Sequence, residues 1–137
     1  MQRWTQFISF VVVLALFSGC GPSGEKRNSV SGTVTYKNEP IKLGTINFRS
    51  EGDGKYVGSS DIVNGKYAIL SQVGLPAGKY MVAITYPDPK IPAPPADEPP
   101  GVAGPVREML PAKYNDKTEL KADIKDGAND AVNFDLK

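Results

Sequence analysis

Asn64-Gly65-Lys66-Tyr67-Ala68-Ile69-Leu70-Ser71-Gln72-Val73-Gly74-Leu75-Pro76-Ala77-Gly78-Lys79-Tyr80-Met81-Val82-Ala83-Ile84-Thr85-Tyr86 decides the fold class. Asn64-Gly65 is a strong signal for a two-residue type I′ turn, in which both central residues need φ > 0. Tyr67 and Ile69 alternate with Lys66 and Ala68, and Tyr80, Val82 and Ile84 alternate with Met81, Ala83 and Thr85. A period of two is what a strand with one buried face requires. Between the two runs, Gly74-Leu75-Pro76-Ala77-Gly78 interrupts the ladder and carries an apolar residue, Leu75, at its corner.

Working outward, the same alternation recurs. Val30, Val34 and Tyr36 share one face of a strand over residues 29–37, with Gly32 in an inward slot that admits close approach of a neighbouring chain segment. Asn38-Glu39-Pro40 reads as a turn, Ile46 and Phe48 as the inward residues of a second strand, and Tyr56 to Val63 as a third. The opening stretch supplies the fourth and fifth. Leu120, Ala122 and Ile124, then Val132, Phe134 and Leu136, mark two more, separated by the Asp126-Gly127 turn. Seven short strands with turn residues between them predict an all-β, seven-stranded antiparallel Greek-key β-sandwich, with an open barrel as the structural alternative. Fourteen glycines and twelve prolines in 137 residues fit that reading. Nine of the prolines fall between Pro87 and Pro111, where each removes a backbone donor and fixes φ. This insertion is expected to be an extended loop, with Val106 to Leu110 making one helical turn at its end.

The first residues read as an address. Met1 to Trp4 carries one positive charge, and Phe7 to Phe17 is an apolar run of eleven residues, roughly 16 Å as a helix and too short for a ~30 Å hydrocarbon core. A short basic start, a short apolar run and small residues after it describe a cleaved export signal. Ser18-Gly19-Cys20 resembles the lipobox of bacterial lipoproteins, with Phe17 standing where leucine is usual. The resemblance implies cleavage before a diacylglycerol-modified Cys20, and acyl chains anchor through about 0.8 kcal/mol per buried CH₂. The expected organisation is a signal peptide over 1–19, a lipidated flexible tether over 20–28 and one domain over 29–137. The expected location is the bacterial envelope, at the outer membrane or cell surface.

Val30-Ser31-Gly32-Thr33-Val34, Asp61 with Gly65-Lys66-Tyr67-Ala68-Ile69, and Leu75-Pro76-Ala77-Gly78-Lys79-Tyr80-Met81-Val82 resemble, in order, motifs of carboxypeptidase-regulatory-like domains. Pro111 to Thr118 and Val132 to Leu136 look like those of small bacterial lipoproteins built on that domain. The resemblance implies a prealbumin-like (transthyretin-like) sandwich, a non-catalytic surface module and no catalytic residue to carry over.

The chemistry available is narrow. There is no histidine, and the single cysteine is Cys20, so a Ser-His-Asp triad, an intrachain disulfide and a Cys/His metal site are excluded. Lys plus Arg is 16 against 15 acids, a balance that argues against nucleic acid as partner. The carboxylate pairs Asp53 with Asp61 and Asp123 with Asp126 fall at turns or solvent-facing strand positions, and no cofactor is expected. Asp126, Asn129 and Asp130 offer oxygen ligands for calcium, although Asp and Gly also serve a turn for backbone reasons alone. Tyr36, Tyr56, Tyr67 and Tyr80 are expected in the core. Tyr86, Ile91 and Tyr114, about the proline-rich insertion, are the candidate interaction residues, with both tyrosines expected to be exposed. The expected function is a non-catalytic, lipid-anchored module for an envelope protein or glycan. The alternative is a carbohydrate-binding or glycan-processing accessory that uses Tyr86 and Tyr114.

Overall fold

The computed structural model describes residues 25–91 and 107–137. The strands are β1 (Val30–Tyr36), β2 (Glu39–Pro40), β3 (Leu43–Ser50), β4 (Val57–Val63), β5 (Lys66–Ile69), β6 (Gly78–Thr85), β7 (Leu120–Ile124) and β8 (Phe134–Leu136). They form one antiparallel sheet in the order β2-β1-β5-β4-β3-β6-β7, and β8 pairs β1 in parallel. The segment expected to be a cleaved signal peptide and Cys20 lie outside the described residues, as does most of the proline-rich insertion.

The Asn64-Gly65 turn forms as expected. Asn64 has φ 50° and Gly65 φ 75°, and Val63 pairs Lys66 across it. A second turn of the same kind, at Lys37 (φ 53°) and Asn38 (φ 65°), replaces the one expected at Asn38 to Pro40. It lets Tyr36 pair Glu39, so that Pro40 lies in a two-residue edge strand. An edge tolerates proline, because the missing N–H would have met only water.

β5 and β6 flank the sheet's middle rather than each other. β5 lies between β1 and β4, and β6 between β3 and β7. The Gly74 to Gly78 corner carries the chain across, and Leu75 at its centre is fully buried. Phe48 of β3 lies 6.0 Å from Tyr67 of β5 and 6.4 Å from Phe134 of β8, ring centroid to ring centroid. β3 and β8 are remote in the sheet order, so the sheet curls over a single core. Val30, Val34, Ile46, Ile62, Val82, Ile84, Ile124 and Leu136 belong to that core. Each such side chain contributes about 1.5–3 kcal/mol on burial.

Gly32 explains how the last segment fits. A Cβ there would overlap the Val132 carbonyl oxygen. The close approach expected at Gly32 is therefore that of the backbone leading into β8. That segment runs parallel to β1, against the all-antiparallel expectation. Polar side chains reinforce the pair: Asn133 Oδ1 accepts the Thr33 N–H at 2.8 Å, and Thr35 donates to Asp135 at 2.8 Å.

The domain also begins earlier than the tether boundary suggests. Arg27 donates to the Gly74 carbonyl at 2.9 Å, and Asn28 is buried and bridges Leu75. Among the described residues no helix is long and apolar enough to cross a membrane.

Candidate functional site

The two feet of the proline-rich insertion pair with each other. Met109 N–H donates to the Tyr86 carbonyl and Asp88 N–H to the Arg107 carbonyl, both at 2.9 Å, with Pro87 bridging Glu108. Glu108 secures the ladder, since one carboxylate oxygen accepts both Tyr86 N–H and Leu110 N–H at 2.9 Å. The helical turn expected at the end of the insertion is therefore absent from 107–110, where Arg107 to Met109 pair with the outgoing chain and Leu110 bends away. Pro111 disfavours the helical region for Leu110, and the pairing with the outgoing strand takes the backbone groups. After Pro87 the chain turns at Asp88, whose side chain accepts Lys90 N–H at 3.0 Å while its carbonyl accepts Ile91 N–H at 3.0 Å. Ile91 and Met109 stand exposed on this base, and Tyr86 is half-buried against the core.

Tyr114 departs from its expected role. It is only 8% exposed. Its hydroxyl donates to the Lys137 carbonyl at 2.9 Å and accepts the Lys137 N–H at 3.0 Å. Lys113 Nζ lies 4.8 Å from the ring centroid. The short 3₁₀ turn Ala112–Tyr114 directs the ring inward, where it ties the start of the return path to the end of β8. A stacking platform made of Tyr86 and Tyr114 is thus not present. Of the three candidate interaction residues, Tyr86 and Ile91 share the insertion's first foot and Tyr114 serves the core.

The core tyrosines divide. Tyr67 and Tyr80 are buried, and their hydroxyls donate to the carbonyls of Val132 (2.6 Å) and Pro76 (2.9 Å). Burial pushes the Tyr67 phenol far above its ordinary value and that of Tyr80 upward. Tyr36 and Tyr56 only half-bury at the core's margin. The expectation of four core tyrosines thus holds for Tyr67 and Tyr80, while Tyr36 and Tyr56 pack against the core from its edge.

The calcium candidates are organised as a turn. Asn129 Oδ1 accepts Lys125 N–H at 3.0 Å, and its amide donates to Lys125 and Ser29 carbonyls. Asp130 accepts from Ser31, while Asp126 is exposed. Among the described residues no group of three or more His, Cys, Asp or Glu gathers as a metal site would. Of the carboxylate pairs, Asp53 accepts Lys55 N–H and Ser50 Oγ, which hold its carboxyl below the usual range. A general acid needs the opposite shift. Asp61, Asp123 and Asp126 are exposed.

Two shallow troughs mark the outer face. One, of about 710 Å³, runs over β1, β5 and β4 beside Thr33, Asp61, Lys66, Ala68 and Asn133. The other, of about 920 Å³, lies under the 115–118 loop beside Arg49, Val57, Met81, Ala83 and Lys117.

No family model, no curated protein and no solved structure matches the chain. The likeness to known domains therefore rests on the motif residues themselves. What sequence reading missed is a set of side chains that bind backbone rather than ligand: Asn28, Glu108 and Asn129. Only Asn129 had a signal, the Asp-Gly turn beside it.

Proposed function

We propose that the protein is a non-catalytic, lipid-anchored module of a bacterial cell envelope, which presents the base of its proline-rich insertion to a protein or glycan partner. Cys20, directly after a short apolar run, is the observation that carries this reading. The structure adds a distance limit. Arg27, seven residues after Cys20, already bonds to the domain, so at about 3.3–3.6 Å per residue the lipid lies within about 25 Å of it. A tether that short holds the domain against the membrane surface. The exposed Ile91 and Met109, beside half-buried Tyr86, supply an apolar contact patch at the insertion's base. Prolines in the insertion reduce the entropy lost on binding.

The same reading takes the curled sheet as a Greek-key sandwich of the prealbumin-like kind. Its support is the wiring: β3, β4 and β5 follow one another in space, and β6 returns beside β3.

Intact-mass spectrometry of the protein from bacterial membranes tests the anchor. A chain starting at a diacylglycerol-modified Cys20 is expected, with Cys20→Ser abolishing both modification and detergent partitioning. A chain that starts at Met1, or an unmodified Cys20, overturns the reading. For the contact patch, Ile91→Asp with Met109→Asp should abolish capture of an envelope partner while leaving the melting temperature unchanged.

A further inference from the structure

β7 ends the sheet, and among the described residues it pairs on one side only, with β6. The ladder fixes which backbone groups face the open side. The Lys79 carbonyl accepts Glu51 N–H at 2.9 Å, so it points toward β3 and away from β7. Opposed residues in an antiparallel ladder alternate between bonded and unbonded pairs. Tyr80↔Ala122 is therefore a bonded pair and Lys79↔Asp123 is not. Lys125 agrees from the other end: its N–H and carbonyl both bond Asn129 instead of β6. The N–H and C=O of Lys121 and Asp123 thus face outward from the sheet edge.

Edges of this kind invite pairing, and charged residues usually blunt them. The charges here form a palindrome. Glu119-Leu120-Lys121-Ala122-Asp123-Ile124-Lys125, laid antiparallel on itself about Ala122, sets Lys121 opposite Asp123, Glu119 opposite Lys125 and Leu120 opposite Ile124. We infer that β7 is a self-pairing edge, through which two copies of this chain join antiparallel about a dyad at Ala122. The two Lys121–Asp123 pairs each exchange two backbone hydrogen bonds, four in all. Their side chains meet with opposite charge on the outer face, while Leu120 and Ile124 extend the core across the seam. Lys121 already lies 2.6 Å from Glu51 at the surface, and its three N–H donors leave room for a second acid.

The register is specific. Centring on Lys121 sets Glu119 against Asp123, and centring on Asp123 sets Lys121 against Lys125. Centring on Lys121 would also need the Glu119 N–H, which bonds the Lys113 carbonyl, and centring on Asp123 would need the Lys125 groups that bond Asn129. A centre at Ile124 would need the Lys125 groups held by Asn129, and one at Leu120 would need Lys117, whose N–H bonds the Ala112 carbonyl.

Sedimentation equilibrium of the full chain, in a density-matched detergent over a concentration series, tests the pairing. A monomer–dimer equilibrium is expected. Lys121→Glu sets acid against acid on both sides of the dyad, and Asp123→Lys sets lysine against lysine. Each should weaken self-association about tenfold or more, with the melting temperature retained. An equimolar mixture of the two variants should restore the dimer, because every opposed pair is complementary again. Hydrogen exchange on the wild-type chain gives a readout that depends on no variant. The Lys121 and Asp123 amides should gain protection as concentration rises. A wild-type chain monomeric throughout, variants that dimerise as well as wild type, a mixture that stays monomeric, or amides that gain no protection would overturn the pairing.

Discussion

Asn28 and Glu108 solve the same problem in two regions of the molecule. Each is a side chain whose oxygen accepts backbone N–H groups where two remote segments meet. Asn28, 2% exposed, joins three segments: it accepts Gly127 N–H at 2.9 Å, donates from Nδ2 to the Leu75 carbonyl at 3.1 Å, and bridges Leu75 through its own backbone. Glu108 is exposed and joins the two feet of the insertion. The hydrogen bonds are similar in length, so what differs is the alternative open to each partner. At Glu108, water can replace the carboxylate at little cost. At Asn28, an abandoned amide or carbonyl stays buried and loses the full desolvation term, about 1–3 kcal/mol. Similar geometry therefore anchors the domain in one place and only shapes a loop in the other.

The sharpest way to break this contrast is steric. Gly74 has ordinary backbone angles, but a Cβ there would overlap the Asn28 carbonyl oxygen. Gly74→Ala must push the Asn28–Leu75 bridge apart, and a loss of about 3 kcal/mol or more is expected in urea unfolding. A loss below about 1 kcal/mol would show that the seam gives way easily and that the comparison is misdrawn. Asn28→Ala should follow at about 2–3 kcal/mol, since it strands Gly127 N–H and leaves a small void.

These two positions also mark where the sequence was legible. Strand faces were, because burial on one side imposes a period of two, and Asn64-Gly65 was, because few residue pairs tolerate two positive φ angles. Asn28 was not, since it follows a polar, aperiodic run and looks like more of the same. Its importance comes from Leu75 and Gly127, distant in sequence. The parallel course of β8 was hidden for a similar reason: alternation reports which face is buried and says nothing about strand direction. Tyr114 failed differently. Its proximity to the prolines suggested exposure, while a single 3₁₀ turn was enough to send the ring inward. Of the candidate site, Tyr86 and Ile91 were legible as flanks of the insertion, whereas the ladder between its feet depends on Glu108 reaching back across the gap.

Tyr67 sharpens the buried side of the comparison. Its hydroxyl bonds the Val132 carbonyl at 2.6 Å, and Tyr67→Phe should cost about 1 kcal/mol at neutral pH. Its pH signature is distinctive. Burial raises the folded-state pKa above the unfolded value near 10, so the folded chain holds the proton more tightly. The stabilisation is complete below about pH 10 and is lost as pH climbs above it. Denaturant midpoints from pH 8 to 11 should fall more gently in Tyr67→Phe than in wild type. Equal slopes would mean that Tyr67 does not drive the alkaline loss. Tyr80, also raised by burial, keeps the slope of the variant from vanishing.

The smallest global effect belongs to Glu108→Ala. The carboxylate is exposed, so Tyr86 N–H and Leu110 N–H find water when it is removed, and unfolding free energy should change by less than about 0.5 kcal/mol. The local effect should be much larger. Opening of the insertion's base is a sub-global event, governed by the few bonds that close it. Without Glu108 the backbone bonds from Met109 to Tyr86 and from Asp88 to Arg107 remain, but two of the four bonds across and beside the ladder are gone. Amide exchange at Tyr86, Asp88, Met109 and Leu110 should accelerate, while exchange at Val34 and Val82 stays fixed. Glu108→Gln retains an acceptor oxygen and should lie between the two. If Glu108→Ala instead lowered the global midpoint as much as Asn28→Ala does, the insertion's base would be part of the cooperative core. Solvent exposure would then not be what separates the two regions.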